Sequence, residues 1–239
     1  LRSVDPHESL GHVLDVVRLV RRELGGQTPL IGFAGAPFTL ASYVVEGGSS
    51  RNYIKTKSLM YSDPQTWHAL MTKLARLVAD YLIAQVDAGA QAIQLFDSWV
   101  GALSPDDYRE YVLPHSQLVL GEVSATGVPV IHFGTDTATL LALMKDAGGD
   151  VIGLDWRTPL NWGWEQLGPD TAVQGNLDPA ALFAPRPELE RRVRTILEQA
   201  AGRPGHIFNL GHGILPETPV ANVKAVVEMV HEYVVPEAV

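Results

Sequence analysis

Short apolar runs bounded by Gly or Pro recur at residues 29–34, 90–96, 128–133, 150–155, 171–175 and 206–210. Their unbroken hydrophobicity suits strands buried on both faces, the pattern of a parallel sheet. Between them, Trp67, Leu70, Leu74, Leu77, Val78 and Tyr81 fall at helical spacing, as do Leu189, Val193, Ile196, Leu197 and Ala200. Each strand is therefore expected to alternate with a helix that lays its apolar side on the sheet. The expected helix starts share one device, a short polar residue followed by proline, at Asp5-Pro6, Asp63-Pro64, Ser104-Pro105, Asp178-Pro179 and Thr218-Pro219. The side-chain oxygen satisfies a free backbone N–H, and proline at the first helical position has no N–H to lose.

Alternating strands and helices fit an open doubly wound sheet or a (β/α)8 TIM barrel, and crossover handedness does not separate them. Two features favour the α/β barrel. The first strand is followed by Gly32-Phe33-Ala34-Gly35-Ala36-Pro37, which lacks the glycine spacing of a phosphate-binding turn and loses an amide to Pro37. Polar residues also follow nearly every strand, as one functional barrel face requires. The chain opens on a helical pattern over 6–24 rather than on a strand. A closed barrel begins with a strand, so roughly two βα units are expected to lie outside this sequence. With 239 residues, 46% of them hydrophobic, the chain can bury a core as one domain over residues 1–239.

Charge and composition narrow the chemistry. Eighteen Lys and Arg against 27 Asp and Glu give a net charge of -9, which argues against a nucleic-acid surface or a polybasic membrane patch. An anionic ligand would need a local cationic pocket. There is no Cys, which excludes disulfides, thiolate catalysis and cysteine-held metals and suits a reducing cytoplasm. No apolar run approaches the length of a bilayer span.

Just past the strand ends stand Tyr43, then Asp97 and Ser98, His132 with Asp136, Asp155, Asn176 with Asp178, and His212. In a barrel these would converge on one mouth. Helix capping is the competing role for Asp136 and Asp178, and Asp178 is read as structural. His212 is framed by Gly211 and Gly213, residues that permit unusual dihedrals and close approach to a ligand. His206 precedes its strand and is expected at the opposite end; His7, His68 and His231 lie in helices and read as surface. Phe33, Phe96 and Phe133 stand at three strand ends and suit an apolar wall around a planar ligand, with core packing the alternative, foremost for Phe133. Tyr43 sits among small residues before the turn Glu46-Gly47-Gly48; it either faces the mouth or is a buried structural tyrosine.

Six stretches, in order along the chain, resemble the uroporphyrinogen decarboxylase family: Ile31-Gly32-Phe33-Ala34-Gly35-Ala36-Pro37-Phe38-Thr39-Leu40, Tyr43-Val44-Val45-Glu46-Gly47-Gly48, Leu95-Phe96-Asp97-Ser98, Gly153-Leu154-Asp155-Trp156, Gln174-Gly175-Asn176-Leu177-Asp178-Pro179 and Asn209-Leu210-Gly211-His212-Gly213. The resemblance implies a (β/α)8 barrel, usually a homodimer, that removes carbon dioxide from four pyrrole acetates of uroporphyrinogen to give coproporphyrinogen in haem biosynthesis. It also implies that no metal or organic cofactor takes part. Tyr43, Ser98 and His212 match substrate-contacting positions, Tyr43 and His212 being the catalytic candidates, and Phe33 and Phe96 match pocket-lining aromatics. An arginine-bearing N-terminal loop and an Asp that accepts hydrogen bonds from the pyrrole N–H groups have no counterpart here, so the chain alone is expected to bind weakly and turn over little. Among rivals, a zinc-thiolate methyltransferase is excluded by the lack of Cys. A divalent-metal lyase using His132, Asp136, Asp155 and His212 and a barrel that binds without reacting remain open.

Overall fold

A computed structural model describes residues 4–235. Six parallel strands lie side by side in chain order: β1 (Ile31–Gly35), β2 (Ala92–Asp97), β3 (Val130–Gly134), β4 (Val151–Gly153), β5 (Ala172–Gln174) and β6 (His206–Ile207). A doubly wound sheet reverses its strand order near the middle; this one never does, so the winding is that of a barrel. Helices α1 (Pro6–Ser9) and α2 (Gly11–Glu23) precede β1. Between β1 and β2 run α3 (Pro37–Glu46), α4 (Ile54–Ser62) and the long α5 (Pro64–Asp87). After β2 come α6 (Pro105–Tyr111) and α7 (Leu113–Ser124), and α8 (Leu141–Ala147), α9 (Leu160–Leu167), α10 (Arg186–Ala200) and α11 (Val220–His231) follow the later strands in turn. Among the described residues no helix is long and apolar enough to cross a membrane.

Strand alternation sorts side chains between two faces. Ile93 and Leu95 share the helix-covered face with Val130, His132, Ile152 and Val173 through the parallel register, while Gln94 and Phe96 share the inner face with Ile131, Phe133 and Gln174. The outer layer is largely apolar: Val78 and Leu82 of α5 and Val119 and Val123 of α7 pack against Ile93, Leu95 and Val130. A second cluster around Trp164 joins Leu154, Leu189 and Val193 beneath β4 and β5. The indole N–H of Trp164 donates to the Thr171 carbonyl at 2.8 Å, so its burial leaves no polar atom unpaired. On the inner face, Ile31 and Phe33 at one edge and Ile207 at the other are exposed.

Four of the five expected caps form. Asp5, Asp63, Ser104 and Asp178 each accept a hydrogen bond from a backbone N–H in the first turn they precede. The fifth does not: Pro219 itself precedes α11, and the Thr218 hydroxyl is buried without a partner. The single helix expected over 6–24 is two, because Leu10 leaves helical geometry (φ -123°, ψ 19°) and Gly11 after it is a weak helix former. Strands β4 to β6 are shorter than the apolar runs that announced them. Beyond Ile207 the backbone keeps one isolated parallel bridge, Leu177 with Leu210.

Replacing fully buried Trp164 by Ala should lower unfolding free energy by about 3–5 kcal/mol. The same change at Trp162, which is 40% exposed on the same helix, should cost less than about 1 kcal/mol. Denaturant midpoints of the two variants test the contrast.

Candidate functional site

The inner face leads to the rim at the C-terminal strand ends through a row of edge-on aromatic contacts. Ring centroids are 5.8 Å apart for Phe33 and Phe96, 5.6 Å for Phe96 and Phe133, and 6.5 Å for Phe133 and His212. His212 also meets Trp156 edge-on at 6.1 Å. Such rings fall in line because all three phenylalanines occupy the inward phase of neighbouring strands. His212 is exposed. Its neighbour Gly211 is required for space: a Cβ there would run into the backbone of Trp156, whereas one at Gly213 would meet nothing. Gln94, Phe96, Phe133, Asn209, His212 and Ile214 line a cleft of about 260 Å³.

A second cleft, of about 300 Å³, opens beside the end of β2, where Arg51 and Tyr53 face Ser98, Trp99, Thr135 and Asp136. Tyr43, on α3 and 48% exposed, joins this group by packing its ring 4.0 Å from that of Trp99. Trp99 in turn meets Tyr53 at 5.5 Å. The structure thus places the five candidate site residues in two neighbouring groups, Phe33, Phe96 and His212 in one and Tyr43 and Ser98 in the other. Strand β2 connects them, since Phe96 and Ser98 stand two residues apart.

Several expected mouth residues lie elsewhere. His132 points to the helices, fully buried, with Nδ1 3.3 Å from the Met144 carbonyl and Nε2 unpartnered; burial lowers its pKa to about 4. Asp97 takes the same outward phase and is also fully buried. Asp155 is buried and occupied: its carboxylate accepts from the Asp136 N–H at 2.9 Å and pairs with Arg157 at 2.5 Å. Asp136 adopts a left-handed backbone (φ 61°) and caps no helix; its carboxylate is largely exposed. Asn176 spends its side-chain amide on the carbonyls of Asp155 and Thr158. The four-residue metal set is therefore dispersed, and among the described residues no three His, Asp or Glu side chains form a metal-binding cluster.

Two histidines are also revised. His206 begins β6 instead of preceding it, and its Nε2 lies 2.8 Å from the Gly175 carbonyl. His68 is half-buried, its Nδ1 2.9 Å from Nε2 of His115, whose pKa is pushed down to about 4 by burial and by His68. His7 and His231 are exposed, as expected. Sequence reasoning overlooked the rim's cations and tryptophans. Arg51 follows the Gly47-Gly48 turn, and Arg157 stacks 3.9 Å from the ring of Trp156. A lone cation inside a strand-end segment of an acidic chain was the available signal.

A histidine held neutral by burial supports the fold above its unfolded pKa and withdraws that support as pH falls toward its folded value. For His132 and His115 the window runs from the ordinary histidine value of 6.5 down to about 4. Thermal midpoints should fall across this window, and less steeply after His132→Leu; an unchanged slope would contradict the assignment.

Residues 1–233 match the family model described as uroporphyrinogen decarboxylase (URO-D). The chain is 65% identical over 231 residues to uroporphyrinogen decarboxylase of Sorangium cellulosum (strain So ce56), covering 97% of this chain and 66% of that protein. It is 56% identical over 232 residues to the enzyme of the same name from Carboxydothermus hydrogenoformans (strain ATCC BAA-161 / DSM 6008 / Z-2901), again covering 97% and 66%. The chain spans just under two thirds of the length of these relatives. Among solved structures, a methyltransferase from Methanosarcina mazei superposes with a TM-score of 0.76 at 25% identity, covering 92% of this chain and 63% of that one. A B12-independent methionine synthase from Shewanella sp. W3-18-1 shares the fold, with a TM-score of 0.65 at 12% identity over 97% of this chain and 68% of that one. From the extent of the family match and these identities, the chain belongs to the uroporphyrinogen decarboxylase family.

Proposed function

We propose that this chain supplies most of a uroporphyrinogen decarboxylase site, which removes carbon dioxide from the four acetate side chains of uroporphyrinogen to give coproporphyrinogen. The observation that carries the reading is the row Phe33, Phe96 and Phe133 ending at His212: an apolar wall for pyrrole rings closes on a group able to hold or protonate a carboxylate. Arg51 adds positive charge at the rim of an otherwise acidic chain, where a guanidinium group pairs well with carboxylates; the charge of Arg157 is already engaged by Asp155.

Protonation of a pyrrole ring carbon places positive charge on the ring. The bond from the acetate methylene to its carboxylate then breaks, its electrons neutralise the ring as carbon dioxide leaves, a second proton completes the methyl group, and the ring carbon gives up the first proton to restore the pyrrole. Groups aimed at the transient charge lower the barrier. In this scheme Phe33 and Phe96 hold the ring, Ser98 donates to an acidic side chain, and Tyr43 and His212 bind or deliver protons at the reacting acetate. The chemistry asks for no metal or organic cofactor. Assembly as a homodimer belongs to the same proposal.

The test joins this chain to the remaining third of a relative such as the Sorangium protein and supplies uroporphyrinogen. Coproporphyrinogen should accumulate with carbon dioxide release; binding without release would make the chain a binding barrel and overturn the reading. His212→Gln should lower kcat/KM about 10- to 100-fold, the worth of a hydrogen bond to a charged group. Total loss with binding intact would make His212 the essential acid.

A further inference from the structure

Directly behind Ser98, sealed between the sheet and the helices, lies a cluster of polar groups with too few partners. Asp97 is fully buried and ends β2. Its Oδ1 accepts from the Thr39 hydroxyl of α3 at 3.1 Å, and its Oδ2 has no partner. Tyr108 of α6 and Ser116 of α7 are buried beside it, and each hydroxyl also lacks a partner. The phenol is close enough for the Asp97 charge to oppose its ionisation, while Ser116 lies alongside and favours it. Ser42, one turn along α3 from Thr39, contributes another buried, unpaired hydroxyl.

A buried carboxylate ordinarily draws several donors or a cation around it. Here the donors come from one residue, Thr39, and one carboxyl oxygen is left without a partner. The cluster suits a neutral acid better: its O–H is a donor for an unpaired hydroxyl, and no charge is left in the interior. The elements packed on Asp97 bring no opposing charge, since α3 offers Thr39 and Ser42, α7 offers Ser116, β3 places Gly134 opposite, and α6 offers Tyr108, the titratable neighbour. Burial raises the Asp97 pKa to about 7, the Thr39 hydrogen bonds offsetting only part of the rise.

Thr39 and Tyr43 lie four residues apart and so share one side of α3. Thr39 is tied to Asp97, and Tyr43 packs on Trp99, two residues further along the same strand end. The helix is thus clamped to the end of β2 at two points one turn apart, with Ser98 between them. We propose that Asp97, as the neutral acid, is a positioning residue: through Thr39 it fixes α3 on the end of β2 so that Tyr43 and Ser98 keep one relative geometry. The purpose given to that geometry rests on the decarboxylase reading; the clamp does not.

The test compares Asp97→Asn, Asp97→Leu and Thr39→Val, in this chain joined to the remaining third of a relative, by amide hydrogen exchange and by titration with uroporphyrin, the fluorescent oxidised relative of the proposed substrate. Asparagine mimics the neutral acid, so Asp97→Asn should keep exchange in α3 and affinity within about twofold of wild type. Asp97→Leu and Thr39→Val should speed exchange in α3 and in residues 98–103 by roughly fivefold or more, leave α10 unchanged and weaken uroporphyrin binding to a similar degree. From about pH 4 up to about pH 7 wild-type α3 should lose protection relative to Asp97→Asn, because there the acid is ionised when α3 opens and neutral when it is closed, and the loss should level off above about pH 7. Thr39→Val carries the comparison if Asp97→Leu does not fold. Wild-type exchange rates in Thr39→Val, or an asparagine variant as impaired as the leucine one, would overturn the clamp. If wild type fails to bind uroporphyrin, the substrate reading falls, and the exchange data still decide the clamp.

Discussion

The parallel register between β2 and β3 determines what every later residue can do. It pairs Leu95 with His132 and Phe96 with Phe133, and because side chains alternate with a period of two, a slip of one residue would exchange the two faces. Phe96 would then enter the helix layer and Asp97 would enter the barrel. The apolar outer face prevents this: Ile93, Leu95 and Val130 are each fully buried among leucines and valines of α5 and α7, and turning them inward would forfeit roughly 1.5–3 kcal/mol apiece. Burial on the outside thus holds chemistry on the inside.

Much of this architecture is written locally. Continuous apolar runs announced all six strands, and four of the polar-proline pairs cap the turns they precede, since both signals act over a few residues. The direction in which a strand-end side chain points is a different matter. Asp97, Ser98 and His132 look equivalent as residues near strand ends, yet Asp97 and His132 take the outward phase and Ser98 lies just beyond it. Only the pairing fixes that phase. His212 and the phenylalanine row were readable because glycine-framed loops and aromatic strand ends carry their own signal. Arg51 gave little sign of its place, for its loop comes beside Ser98 through tertiary folding alone. Thr218 shows the limit of local rules, as a capping pattern that yields to the path of the chain.

The polar residues of the rim divide between those that build it and those left free. Asp155 is the main builder: zero side-chain exposure, an ion pair with Arg157 and a bond from the Asp136 amide make it a fastener. Removing Arg157 would leave the buried Asp155 carboxylate without its cation, whereas Arg157, 46% exposed, would be solvated without Asp155. Tyr43, Phe33 and His212 are exposed and retain the freedom a ligand-facing group needs. In an apolar interior with few cations, this division assigns most carboxylates to scaffolding.

Each loop of the rim is stitched to the next. Thr39 meets Asp97, the Thr135 hydroxyl donates to the Ser98 carbonyl, the Asp136 amide donates to Asp155, Asn176 donates to the Asp155 carbonyl, and the Leu177 amide donates to the Asn209 carbonyl. No stitch in this series skips a strand. Tyr43 and His212 stand at the two ends of this five-link hydrogen-bonded series, while the rings of Phe133 and Trp156 reach His212 from β3 and β4 directly. Tyr43 packs on Trp99 and His212 on Phe133 and Trp156, so the two share no ring partner although they share one rim, and substitutions at both should act nearly additively on folding.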